Sequence, residues 1–403
     1  MYTKDLQNNV PLYGQEKVYW CGPACAQMAR NGYPNPADRL LLTQQDLWSS
    51  IVANNSATTS MGSADSGWAT DPQGLTACLQ TAANPPGVNW ETFADPNSYS
   101  VLFSLLYWMN VREYPAPTLM DGGSHWVVVV GWQTDIEPVA SSTPVLQSLD
   151  YYDPQPDGVG AYTQAAAPTW LLPAGPAAVG PWKTSVSYPG TWSKDYVAII
   201  EPPVAEGTVT VNPPKRTGAR LLTPAQAAAA ADRAIREQRL VNKARFALLT
   251  HPDLERLSPL LVREDPAVTA EGERSRSRSR AGKTPFYYIV PFGLGTERGR
   301  SGNPLVRVCV LVNAYTGAFE EATAFGKPVS HITETEALTI VAGALRVAPA
   351  ELKGAEATLL FQSSAITHVR AWPFWRVKIR ARTLYVDQLG SLHSEVRASL
   401  AGD

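Results

Sequence analysis

Gln15 and Cys21, six positions apart and followed by Gly22-Pro23-Ala24, are the residues of this chain whose types and spacing best suit acyl transfer. A thiol attacks a carbonyl as the thiolate, so an active cysteine needs a device that favours its ionised form. A helix N-terminus is such a device, because its unpaired N–H groups and its dipole favour negative charge. Gly22 and Pro23 suit a first helical turn, where proline's missing N–H costs nothing, and Ala24 to Arg30 are mostly good helix formers. A helix starting at Cys21 is therefore expected, with the thiol at its positive end. Gln15 would add a side-chain N–H to the Cys21 backbone N–H as donors to a developing oxyanion.

A nucleophilic cysteine also needs a base. His125 is the first histidine of the chain, and the next is His251. It stands in Asp121-Gly-Gly-Ser-His-Trp-Val-Val-Val-Val-Gly-Trp132, where the glycines make a turn and the β-branched run makes a buried strand. After a turn through Thr134 to Thr143 the chain returns as a second strand, Pro144 to Asp153, which ends at Pro154. Two adjacent antiparallel strands, one starting at His125 and the other ending at Asp153, bring these residues to one end of the pair. A carboxylate there can hold the imidazole tautomer that a base requires. Asp150 and Asp157 are rival candidates, and the Asp-Pro step favours Asp153.

These residues need a scaffold around them. Leu40 to Val52 carries apolar residues at mixed helical spacing, Asn35 to Asp38 is turn-like, and the Ser/Thr/Gly/Ala-rich stretch Asn54 to Trp68 reads as a loop. Gly74 to Thr81 is a short helix behind an N-terminal cap at Thr70 to Gln73, Ser98 to Met109 an apolar helix, Pro115 to Met120 a strand and Tyr196 to Ile200 another. Cys78 and Cys25 read as packed core. Four cysteines in 403 residues make no disulfide framework. Cys21 and Cys25 have no second cysteine pair at zinc spacing, so a metal site ranks below catalysis and no cofactor is expected.

With Gln15, Cys21, His125 and Asp153 in place, the sequence resembles the papain-like cysteine peptidases, in particular the bacterial peptidases related to bacteriocin-leader processing. The resemblance lies in Gln15, five intervening residues, Cys21-Gly-Pro-Ala24, the His125-Trp-Val-Val strand and Asp153-Pro154, and covers roughly residues 8–202. It implies Gln15 as oxyanion donor, Cys21 as nucleophile, His125 as general base and acid, Asp153 as its orienter, and a peptide or protein substrate. The His125 to Asp153 hairpin is long for that family, and no transporter module accompanies it, which argues against export-coupled leader cleavage. The same triad would serve a transglutaminase-like or deamidating transferase. A catalytically silent papain-fold binding protein is the non-enzymatic alternative.

At 403 residues the chain calls for more than one core. Residues 203–219, rich in Pro, Gly and Thr, read as a linker, and beyond them the pattern duplicates. Leu222-Thr-Pro-Ala-Gln226 matches Ile332-Thr-Glu-Thr-Glu336, each a capping box ahead of a helix. Pro285 to Val290 matches Pro373 to Lys378, and Val308 to Gly317 matches Thr383 to Gly390, so each unit reads as a helix and an antiparallel strand pair. This pattern resembles the PepSY module in tandem, which implies inhibition or chaperoning of a protease; an independent structural or substrate-recruiting module is the alternative. The expected fold is α+β: a papain-like domain over 1–202, a linker over 203–219, and PepSY-like modules over 220–328 and 329–403.

Residues 1–214 carry 7 Lys/Arg against 18 Asp/Glu, a charge of −11, and residues 215–403 carry 27 against 18, a charge of +9. Docking of the acidic and basic halves is the expected use of this asymmetry. Nucleic acid is not the expected partner: the Arg/Ser run from Glu271 to Arg280 has no interleaved aromatic residues and reads as a solvated loop. No apolar run is long enough to span a membrane. No signal peptide precedes Gln15, which reads as cytoplasmic if Met1 is the native start and leaves the location undefined otherwise.

Overall fold

The structure, a computed structural model, describes residues 1–32, 42–56, 70–81, 89–171, 184, 192–201, 207–212, 220–264, 286–299, 302, 304–352, 354–364, 366–380 and 382–396. The expected turn at Asn35 to Asp38 and the Glu271 to Arg280 loop lie outside these residues, as do most of the Asn54 to Trp68 loop and of the linker. The fold mixes helices with antiparallel and some parallel strands, and the chain divides into two compact units, Met1–Pro214 and Lys215–Ser399.

The first unit contains β1 (Tyr2–Asp5), α1 (Cys21–Asn31), α2 (Gln44–Asn54), α3 (Pro72–Gln80), β2 (Glu91–Asp95), α4 (Ser98–Arg112), β3 (Ala116–Met120), β4 (His125–Thr134), β5 (Val145–Asp153), β6 (Ala161–Ala166), α5 (Ala167–Leu171), β7 (Tyr196–Ile200) and β8 (Thr210–Val211). β4 is the central strand and is buried along its whole length, as its valine run requires. It pairs antiparallel with β5 on one side, and on the other with β3 near its start and β1 near its end. β6 extends the sheet beyond β5, while β7 and β2 extend it beyond β3. α1 packs on β4, and α2 and α3 pack on α1. Part of the expected linker is built into this unit: Thr210 and Val211 pair in parallel with Val145 and Leu146, and a Cβ at Gly207 would collide with the Phe103 ring.

The second unit contains α6 (Pro224–Glu237), β9 (Leu254–Arg256), β10 (Leu260–Glu264), β11 (Phe286–Leu294), β12 (Val306–Asn313), β13 (Phe319–Val329), α7 (Glu334–Leu345), β14 (Glu356–Phe361), β15 (Phe374–Ile379), β16 (Arg382–Val386) and β17 (Leu392–His393). Its duplication is visible in the hydrogen bonds. Thr223 with Gln226 and Thr333 with Glu336 close complete capping boxes at the starts of α6 and α7. The residue before each cap is tied to a hairpin in the same way. Leu222 N donates to Ala314 O and Ile332 N to Gln388 Oε1, while Leu222 O accepts from Tyr288 and Ile332 O from Trp375. Gly317 and Gly390, at φ +66° and +84°, occupy equivalent turns that only glycine adopts freely.

Each repeat holds more strands than one pair. β10 and β13 flank the β11–β12 hairpin, β14 and β17 flank β15–β16, and β10 and β14 join the two halves in parallel. Among the described residues no helix is long and apolar enough to cross a membrane.

Candidate active site

Cys21 is the first residue of α1, and Trp20 takes the cap position without a side-chain cap bond. The first turn therefore keeps its N–H groups for whatever charge lies at Cys21. Gly22 allows this helix start to approach Thr70 so closely that any Cβ there would collide with the threonine side chain. Thr70 O in turn accepts from Trp126 Nε1 at 3.0 Å, next in sequence to His125. Thr70 is thus the tie that sets the start of α1 against the start of β4, a role beyond the helix cap its pattern suggested, where Asp71 takes the cap position itself.

His125 enters β4 from a turn in which Asp121, Gly122 and Gly123 all have positive φ, 51°, 72° and 101°. Ser124 Oγ donates to Asp121 O at 2.7 Å and closes the turn. His125 pairs with Met120 across β3, and Val128 pairs with Tyr152 across β5, so the strand register carries His125 and Asp153 to the same end. His125 Nε2 lies 2.9 Å from Asp153 Oδ1. An ionised carboxylate only accepts, so Nε2 carries the proton and donates. The Cys21 thiol also hydrogen-bonds the ring.

The electrostatics follow from this order. Burial pushes the His125 ring down in pKa, but the Asp153 charge and hydrogen bond, joined by Cys21, outweigh it and hold the ring well above the ordinary imidazole value. The protonated ring is the form that stabilises a neighbouring thiolate. Cys25, one helical turn further on, is fully buried, and its thiol is pushed up by burial first and by the Cys21 and Asp153 charges second. Burial also raises Cys78 and Cys309. Cys21 is thus the cysteine with both a helix end and a histidine.

The three candidate carboxylates separate cleanly. Asp153 takes His125. Asp150 is buried opposite Gly131 in the β4–β5 pair and beside the Tyr162 hydroxyl, whose pKa is raised by burial first and by Asp150 next. Asp157 takes Gln15: Gln15 Nε2 donates to Asp157 Oδ1 at 2.8 Å and to Val18 O at 2.7 Å. Gln15 is fully buried, and its Oε1 has no hydrogen-bond partner among the described residues. Exchanging the amide's oxygen and nitrogen would set Oε1 against two acceptors, so this orientation is the one the surroundings permit. The expected oxyanion donor therefore has both side-chain hydrogens engaged.

A single turn handles both halves of the site. Asp153 Oδ1 also accepts from Gln155 N at 2.8 Å, Pro154 O accepts from Gln15 N at 2.8 Å, and Gly158 N donates to Gln15 O at 2.7 Å. A Cβ at Gly14 would collide with the backbone of residues 158–160. Residues 153–160 thus hold the histidine's partner at one end and clamp Gln15 at the other. Among the described residues no three His, Cys, Asp or Glu side chains converge as a metal site.

No protein-family model and no curated protein sequence matches the chain. Among solved structures, the Bacillus megaterium YpeB C-terminal domain matches at 10% identity with a TM-score of 0.16, covering 70% of this chain and 88% of that one. A score of that size is no fold match.

Proposed function

We propose that the first unit is a papain-like cysteine peptidase in which Cys21, His125 and Asp153 form the triad. The observation that carries this reading is the His125 ring held between Asp153 Oδ1, at 2.9 Å, and the Cys21 thiol at a helix N-terminus. A buried imidazole raised in pKa by a carboxylate and hydrogen-bonded to a thiol is an arrangement that activates sulfur for attack.

The chemistry proceeds in two halves. The Cys21 thiolate attacks a peptide carbonyl carbon, a C–S bond forms, and the carbonyl π pair moves to oxygen. The Cys21 N–H and a Gln15 N–H receive that oxyanion. Collapse breaks the C–N bond as the His125 imidazolium gives its proton to the leaving amine. Water then attacks the thioester, His125 accepts a proton from it, and the thiolate leaves with the C–S pair, restoring the ion pair. In this reading the second unit, with its excess of positive charge, inhibits the enzyme or recruits its substrate.

Hydrolysis of a denatured protein such as casein tests the reading. Cys21→Ala and His125→Ala should abolish it, while Cys25→Ala and Cys78→Ala should retain it. Hydrolysis that survives Cys21→Ala would remove the proposal.

A further inference from the structure

We infer that Asp157 restrains Gln15 in a resting arrangement, and that oxyanion stabilisation requires the Gln15 amide to exchange its bond to Asp157 for one to the reacting oxygen. The inference deepens the peptidase reading and rests on it. An amide nitrogen has two hydrogens, and here one goes to Val18 O and the other to Asp157 Oδ1, at 2.7 and 2.8 Å. Neither is left for a developing oxyanion. The carboxylate bond is charge-assisted, so Asp157 competes for the hydrogen that the transition state needs.

Two further observations make Asp157 the partner that gives way. Asp157 is exposed, so on release its carboxylate exchanges the amide for water, whereas Gln15 itself is fully buried. The buried Gln15 Oε1 has no partner among the described residues, so the amide can turn without breaking any bond to them on that side. The backbone of Gln15 stays clamped during this exchange by Pro154 O and Gly158 N, which confines the movement to the side chain. Asp157 also lies on the turn that carries Asp153, so a substrate that shifts this turn acts on the oxyanion donor and the histidine's partner together.

Two probes on the full chain separate this proposal from the reading beneath it. p-Nitrophenyl acetate acylates sulfur through an oxyanion: the thiolate adds to the acetyl carbon, the carbonyl pair moves to oxygen, and p-nitrophenolate departs with the C–O pair. Iodoacetamide alkylates sulfur by displacement of iodide and forms no oxyanion. In Asp157→Ala the acylation burst should be roughly fivefold to tenfold faster, the larger figure being 1.36 kcal/mol of barrier, with the alkylation rate of Cys21 unchanged. Asp157→Asn keeps an acceptor oxygen without the charge and should give a smaller gain. Gln15→Ala should slow acylation and cancel the gain in the double variant.

Acylation that is unchanged or slower in Asp157→Ala, with alkylation intact, would overturn the restraint and make Asp157 a prop that holds Gln15 in its working pose. Alkylation of Cys21 no faster than that of glutathione would overturn the peptidase reading, and the restraint with it.

Discussion

His125 and Asp153 stand at one end of an antiparallel strand pair with Nε2 and Oδ1 2.9 Å apart, and this contact decides the protonation of a ring that burial alone would keep neutral. Removing the charge should shift the balance. In Asp153→Asn the midpoint of the His125 ring, followed by NMR titration, is expected to fall, since burial is then opposed by Cys21 without the carboxylate charge. The alkaline limb of turnover, set by loss of the imidazolium proton, should move to lower pH with it. The sign for stability is the same: a raised histidine stabilises the fold below its unfolded pKa, and that contribution disappears as pH rises through the folded value. A midpoint unmoved by Asp153→Asn would show that the carboxylate does not govern the ring.

Gly22→Ala should destabilise the first unit, because the new methyl group collides with Thr70 between α1 and Trp126. Overpacking of this kind costs about 1–3 kcal/mol. Thermal unfolding of the variant should show the loss, and Thr70→Gly in the same chain should recover part of it. A Gly22→Ala chain as stable as the parent would mean that Thr70 does not pin the helix start.

In the second unit, two groups give opposite pH dependences. Burial lowers His331 to about 4, with Nε2 donating to Ala371 O at 3.1 Å and Nδ1 buried without a partner among the described residues. Its unfolded form binds a proton near 6.5, so this histidine costs stability as pH falls from about 6.5 to 4. Burial raises Glu321 to about 7 against the pull of Arg370. The folded state then holds that proton more firmly, and stability is lost as pH rises from the unfolded value near 4.5 through about 7. Melting temperatures between pH 4.5 and 6.5 should therefore rise more steeply with pH in Glu321→Gln and less steeply, or fall, in His331→Gln. Parallel profiles for both variants would contradict these assignments.

Thr223→Ala and Thr333→Ala each remove one capping box, at α6 and α7. Each should cost about 1 kcal/mol. The two losses should add in the double variant, because the caps belong to different repeats and share no bond. Denaturant midpoints measure this, and a double variant no worse than either single one would mean that the repeats do not unfold together.

Local signals carried far in this chain and distant ones did not. Gly22-Pro23 announces a helix beginning at Cys21, the valine run announces β4, and Thr-x-x-Gln/Glu announces both capping boxes, because each is a property of a few consecutive residues. The meeting of His125 with Asp153 was legible because a strand pair with one turn has one register that buries β4. By contrast, Gln15 and Asp157 are 142 residues apart and Thr70 and Trp126 are 56 apart, and nothing in composition or spacing links them. Asp157 could be read only as another carboxylate near the histidine. The parallel pairing of β10 with β14 was hidden for the same reason, since the two strands lie in different repeats. The thread that could have found the Gln15 clamp is Asp153-Pro-Gln-Pro-Asp-Gly158, whose turn-forming residues fold the chain back on itself beside the triad.

Activation of Cys21 by His125 is measured directly by the rate of iodoacetamide modification at each cysteine, resolved by peptide mass spectrometry on the native chain. Cys21 should react far faster than Cys25, Cys78 and Cys309, and His125→Ala should bring its rate down to theirs. Equal modification of the four cysteines, or a Cys21 rate indifferent to His125→Ala, would contradict it.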